Sequence, residues 1–185
     1  MNASVKQESH SVDSTWPSEI YRTLKAHRVR QVSYVPDAGH KELINFAHAD
    51  EDMETTVLTT EEEGIALSAG AWLGGDRSVV LMQSSGVGNC INMLSLAGTC
   101  RFPLVMLVTM RGEWAELNPW QIPMGQATPD VLSSMGVQTL RLDNPDDTAD
   151  LIASACTLAF GSDQQIAVLI SQQVIGSKVW NREKK

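Results

Sequence analysis

T-T-E-E-E-G-I-A-L-S-A-G-A-W-L-G-G-D-R-S-V-V-L-M-Q-S-S-G-V-G-N-C-I-N, from Thr59 to Asn92, decides how the chain is read. Ile65 to Leu73 is small or apolar apart from Ser68, and reads as a helix. Gly64, Gly70, Gly74 and Gly75 each cost up to about 1 kcal/mol against Ala in a helix interior, which points to close approach of another backbone or a ligand. Ser78 to Met82 is a strand buried on both faces, four apolar residues after one polar one. Gln83-Ser84-Ser85-Gly86 follows, where the carboxyl end of a parallel strand meets the next helix. Open α/β sheets bind ligands at that edge. A Gly-rich turn over Gly86–Gly88 and a second helix from Asn89 to Thr99 complete the stretch.

The same pattern repeats outward. Pro17 opens a helix to His27, Gln31 to Val35 is a strand, and Pro36-Asp37-Ala38-Gly39-His40 is its turn. Lys41 to Ala49 is helical and Glu54 to Leu58 is a strand. Pro103 to Thr109 (P-L-V-M-L-V-T) is an apolar strand ending in Met110-Arg111-Gly112-Glu113. Trp114 to Thr128 carries several Pro and Gly breakers and reads as a long loop, of the kind that is functional or interfacial. Pro129 to Met135 is a short helix, Val137 to Leu142 a strand, Pro145 to Phe160 a helix and Ile166 to Ser171 the last strand. Six strand–helix alternations imply an α/β fold: one three-layer domain, with a mostly parallel six-stranded sheet and helices on both faces. Residues 16–176 form this domain. Residues 1–15 are a flexible N-terminal segment and 177–185 a tail.

Composition narrows the class. The chain has 185 residues and a net charge of -8, with no basic block before the terminal Arg182-Glu183-Lys184-Lys185, so neither nucleic acid nor an anionic membrane is the expected partner. Three scattered cysteines without a C-x-x-C pair suggest reduced thiols and a cytoplasmic location. The N-terminus has no apolar signal-peptide region, and no apolar run approaches the roughly 18 residues of a membrane span.

Several chemistries drop out. Ser85-Gly86-Val87-Gly88 resembles part of a dinucleotide fingerprint, but the third Gly and the downstream acid are missing. No G-x-S-x-G elbow supports a nucleophilic serine, and no H-x-x-x-H or Cys/His pair supports a metal. Candidates at strand ends remain. Glu61 starts a helix just after a strand, and for any one Glu of such a triplet a favourable helix dipole is explanation enough. Gln83, Ser84, Ser85 and Asn89 offer hydrogen bonds to a flat polar ligand, and the amides of the turn an anion site. His40 follows a strand-end turn. Arg111 ends a buried strand, where a structural ion pair and anion recognition are both open.

E-E-E-G-I-A-L-S-A-G-A-W-L-G-G followed by V-V-L-M-Q-S-S-G-V-G-N-C-I-N resembles the pyrimidine-binding (PYR) domain of thiamine-diphosphate-dependent decarboxylases, in particular the phosphonopyruvate and sulfopyruvate decarboxylases. V-P-D at Val35 to Asp37 and P-L-V-M-L-V-T-M-R-G at Pro103 to Gly112 extend the likeness over about residues 17–175. The resemblance implies thiamine diphosphate and Mg²⁺ as cofactors. It makes Glu61 the carboxyl group that meets the aminopyrimidine N1′, with Pro36, Gln83, Ser84, Ser85, Gly86, Gly88 and Asn89 around the cofactor. Asp37, His40, Arg111 and Gln121 are then the substrate-side residues, for a small anionic 2-oxo acid. Arg101 and Lys41 are further cations near strand ends.

The G-D-G…N metal motif of the diphosphate-binding (PP) domain is missing here, since Gly75-Asp76 is followed by Arg77. The resemblance therefore implies the α subunit of a split enzyme, with metal and diphosphate held by a PP-domain β subunit and with PYR subunits paired as homodimers. Where phosphonopyruvate decarboxylases carry an acidic D-E-P-Q-H-like segment after R-G, this chain has Leu117-Asn118-Pro119-Trp120-Gln121. The substrate stays open among sulfopyruvate, phosphonopyruvate and related three-carbon oxo acids. A PYR subunit of another thiamine lyase or ligase and a non-catalytic PYR-like binding protein are the alternatives.

Overall fold

The computed structural model describes residues 15–176, so almost all of the expected N-terminal segment and the tail lie outside the described residues. In chain order the elements are α1 (Trp16–Ala26), β1 (Val29–Tyr34), α2 (Lys41–His48), β2 (Glu54–Val57), α3 (Glu61–Leu73), β3 (Arg77–Gln83) and α4 (Ser84–Cys100). Then come β4 (Leu104–Thr109), α5 (Ile122–Ser134), β5 (Gln138–Leu142), α6 (Thr148–Ser162), β6 (Gln165–Ile170) and the short α7 (Gln172–Ile175). The six strands form one sheet in the order β2-β1-β3-β4-β6-β5, and every pair is parallel.

Period-two alternation splits the interior into two cores. Val79, Leu81, Val105, Leu107, Ile166 and Val168 face one side, with α1, α2 and α6 packed over them. Val80, Met82, Met106, Val108, Ala167 and Leu169 face the other, under α3, α4 and α5. The helix after β1 lies on the first face and the helix after β3 on the second, so a crevice opens between the carboxyl ends of these neighbours. A second crevice lies between β4 and β6 for the same reason.

Two expectations are corrected. The turn expected over Gly86–Gly88 is the first part of α4, which begins at Ser84 rather than Asn89. The cost of glycine in a helix is offset here by tertiary contact. A Cβ on Gly86 would overlap the Glu61 carboxyl group, and one on Gly88 would press on Met124 Sδ at 3.3 Å. The long loop expected from Trp114 to Thr128 ends early, at the 3₁₀ turn Pro119–Gln121 and at α5. Pro123 sits in the first turn of α5, where no N–H is needed. Gly125 admits the Arg111 carbonyl, which a side chain would block. Pro129 lies inside the same helix, against its usual effect.

Among the α3 glycines, Gly64 packs tightly: a Cβ there would come 2.7 Å from Val80 Cγ1. Gly70 meets nothing within 4 Å, so close approach within the chain does not explain it. Among the described residues no helix is long and apolar enough to cross a membrane.

Candidate active site

The β1–β3 crevice collects the polar side chains. Glu61, the first residue of α3, is 9% exposed, and its carboxylate lies over Gly86 of α4. Asn89 Nδ2 donates to Glu61 Oε2 at 2.7 Å. Oε1 has no hydrogen-bond partner among the described residues, so one oxygen is oriented and the other is free. The neighbouring acids behave differently. Glu63 Oε2 accepts from the Thr59 N–H at 2.8 Å and closes the start of α3, while Glu62 is exposed.

Beside this pair runs a second network. Asp37 Oδ1 accepts from Gln83 Nε2 at 3.0 Å, and Oδ2 accepts from Thr109 Oγ1 at 2.7 Å and the Gly39 N–H at 3.1 Å. Ser85 Oγ donates to Gln83 Oε1 at 2.9 Å. The ends of β1, β3 and β4 are thus cross-linked through one carboxylate. Thr109 was not singled out from the sequence, where it is one more β-branched strand residue.

Other expected site residues are enclosed. Ser84 is fully buried, accepting from the Arg111 N–H at 3.1 Å, so its hydroxyl braces the β3–α4 junction and is not available to a cofactor. His40 is 1% exposed, which corrects its placement on the substrate side. Its Nε2 bonds the carbonyls of Met82 (3.2 Å) and Leu107 (3.0 Å), and since both only accept, Nε2 carries the proton. Burial pushes the His40 pKa below its ordinary value, so the neutral ring bolts β3 to β4. The Cys90 thiol, one turn beyond Gly86, is pushed up to about 12 by burial and then by the Glu61 charge, and is chemically quiet.

Arg111 resolves toward the structural ion pair. Its Nε donates to Glu116 Oε2 at 2.7 Å and its Nη2 to Oε1, a bidentate pair. Glu116 also accepts from Gly112 N at 3.1 Å, Asn118 N at 2.9 Å and Gln172 Nε2 at 3.1 Å. Arg111 first, then the Asn118 and Gly112 amides, hold the Glu116 carboxyl down at about 2. The charge on Arg111 is neutralised within the chain, although the residue still lines the cavity at the β4–β6 crevice with Asp37, Thr109, Asn118 and Gln172. Neither Glu116 nor Gln172 carries a spacing signal that would have revealed it. Gln121 lies in the 3₁₀ turn before α5, with its Oε1 buried and unpartnered among the described residues. Pro36 borders an open groove with Asp37, Ala38 and Lys41. Among the described residues no three His, Cys, Asp or Glu come together as a metal site.

The chain is similar to known proteins in sequence and in fold. Residues 18–139 match the family model described as thiamine pyrophosphate enzyme, N-terminal TPP binding domain. The sulfopyruvate decarboxylase subunit alpha of Methanococcus maripaludis is 34% identical over 152 residues, which cover 82% of this chain and 91% of that protein. The phosphonopyruvate decarboxylase of Streptomyces viridochromogenes is 31% identical over 167 residues, covering 89% of this chain but 42% of that one. The fold is shared with the 2-oxoglutarate:ferredoxin oxidoreductase of Magnetococcus marinus, at a TM-score of 0.72 and 14% identity, over 92% of this chain and 34% of that one. With a family model over most of its sheet and relatives matched along most of its length, the chain belongs to the thiamine-pyrophosphate enzymes, as a TPP-binding domain of the N-terminal type.

Proposed function

We propose that this chain is the PYR α subunit of a split thiamine-diphosphate-dependent decarboxylase that converts sulfopyruvate to sulfoacetaldehyde and carbon dioxide. One observation carries the reading: a nearly buried carboxylate at the sheet's ligand edge, Glu61, with one oxygen fixed by Asn89 and the other free. That donor set fits the aminopyrimidine, whose ring nitrogen needs one carboxyl oxygen within hydrogen-bond reach. The near-complete coverage of an α subunit of that activity supports the substrate class and the split architecture.

When bound, thiamine diphosphate supplies the electron sink for loss of carbon dioxide. The residues of this chain orient it and move protons. Glu61 Oε1 holds or passes a proton at pyrimidine N1′. Asn89 fixes the rotation of the carboxylate, and Gly86 leaves room for it. Gln83 and Ser85 offer polar groups beside the ring, and Asp37, braced by three donors, faces the substrate side. Lys41, exposed beside Pro36 and Asp37 and without an ion pair among the described residues, is a better partner for the sulfonate than the neutralised Arg111. A separate PP-domain subunit holds the diphosphate and Mg²⁺. The exposed Leu73, Trp114, Leu117 and Trp120 suit burial in an assembly of two α and two β chains. Free Cys90, Cys100 and Cys156 suit the reducing cytoplasm.

The test is co-purification with a PP-domain subunit, followed by aldehyde assays with sulfopyruvate, phosphonopyruvate and pyruvate. Turnover only by the two-chain complex, with sulfopyruvate preferred, is expected. A preference for phosphonopyruvate would change the substrate. Decarboxylation by the isolated chain would overturn the split reading.

A further inference from the structure

The amino-terminal edge of the sheet, opposite the crevice, carries a feature that the decarboxylase reading does not use. Arg28, Arg30, Trp72, Gly75, Asp76 and Arg77 line an open groove. Arg28 and Arg30 flank the start of β1, Arg77 begins β3, and Trp72 lies in the last turn of α3. On a chain of net charge -8, three guanidiniums around one indole form a local reversal of sign.

The groove is organised from below. Trp72 stacks on Phe160, with ring centroids 6.3 Å apart and planes at 21°. The Arg77 guanidinium lies 5.0 Å from the same Phe160 ring, and its Nη1 donates to the His27 carbonyl at 2.8 Å. One cation and one indole are therefore held in place before any ligand arrives. Arg28 and Arg30 make no ion pair among the described residues. Asp76 is occupied, its Oδ2 accepting from Gln31 Nε2 at 3.0 Å. Arg28 also has a left-handed backbone, with φ 61°, just after α1. Gly is the residue best suited to such a helix end, so the backbone gives no reason for an arginine there.

We propose that this groove binds a nucleoside monophosphate. Within the lining of this groove, three guanidiniums against one carboxylate leave two positive charges, matching a phosphate monoester at about −1.5 to −2 near neutral pH. Guanidinium forks fit phosphate oxygens bidentately. The braced indole offers a flat face to a base, and a single module of ring plus phosphate spans the two kinds of wall. Glu51, Asp52 and Glu54 line an adjoining groove that shares Arg30 and Asp76 with this one, and they disfavour ligands with a longer chain of phosphates.

The site is independent of the decarboxylase reading, and its test uses binding alone. The full chain is titrated with AMP, adenosine and inorganic phosphate by calorimetry at low ionic strength. Saturable AMP binding is expected, with adenosine and phosphate each at least about tenfold weaker, a factor worth 1.4 kcal/mol. Arg28→Gly should raise Tm, because it suits the backbone, and yet weaken AMP about tenfold. Trp72→Leu should bring AMP down to the affinity of phosphate. The proposal is overturned if AMP does not bind by about 10 mM. It is equally overturned if phosphate matches AMP, or if folded Arg28→Gly, Arg30→Gln and Trp72→Leu variants bind AMP unchanged.

Discussion

Asn89 Nδ2 donates to Glu61 Oε2 across 2.7 Å and ties the first turn of α3 to the second turn of α4. A carboxylate so held has one direction left for its free oxygen, and that separates Glu61 from Glu62 and Glu63.

Glu61→Gln keeps an oxygen to accept from Asn89 Nδ2 and should leave the chain folded. Turnover of the two-chain enzyme should fall by roughly 10²-fold or more, the scale of a lost acid–base group. Asn89→Ala removes a hydrogen bond to a charge worth about 1.5–3 kcal/mol and should cost about tenfold or more in kcat/KM. Glu63→Gln keeps an acceptor for Thr59 and should keep turnover. Equal turnover in the Glu61 and Glu63 variants would remove Glu61 from its role.

Gly86→Ala places a methyl group where the Glu61 carboxyl group lies. Chemical denaturation should show a loss of about 1–3 kcal/mol, as for overpacking, along with lost turnover. Gly70→Ala meets nothing within 4 Å and should stabilise the isolated chain by about 0.4–1 kcal/mol. A loss of assembly with the partner despite that gain would assign Gly70 to an interface.

The Arg111–Glu116 pair sets an acid limit. Glu116 is depressed from 4.5 to about 2, so the unfolded chain takes up the proton first. The stability this provides is complete above 4.5 and is lost as pH falls toward 2. Glu116→Gln should lose that acid dependence and cost about 3–5 kcal/mol at neutral pH by leaving Arg111 buried without its partner. Urea midpoints against pH check both points.

His40 acts in the same direction at higher pH. Its folded pKa is below 6.5, so its stabilisation is present above that value and falls away as pH drops below it. His40→Gln keeps a donor for the strand carbonyls and should flatten the stability curve below pH 6.5. A curve that kept its slope would assign the acid sensitivity elsewhere.

Lys41→Ala should raise KM for sulfopyruvate about tenfold or more while sparing pyruvate, the scale of one charge-assisted hydrogen bond. Arg111→Ala should act on stability instead. Equal effects of Lys41→Ala on both substrates would take Lys41 away from the sulfonate.

Apolar runs bounded by polar turns marked the inner strands β3, β4 and β6, because burial on both faces writes itself into consecutive residues, and the alternation with helices implied a mostly parallel sheet; the edge strands β2 and β5 are far less buried. The run around Glu61 and Gln83 likewise pointed to the PYR-type fold. What tertiary structure alone decided depends on contacts across long separations: Asn89 lies 28 residues from Glu61, and His40 bonds a carbonyl 67 residues away. Gly125 looked like loop because its reason, the Arg111 carbonyl, is not local, and Pro123 looked like loop beside it although it stands in the first turn of α5. For Arg111 a structural ion pair and anion recognition were equally open, and the fold decided between them by turning Glu116, five residues on, back onto the guanidinium. Local patterns carry burial and period, whereas the partner of a charge and the space beside a glycine exist only once the chain has folded.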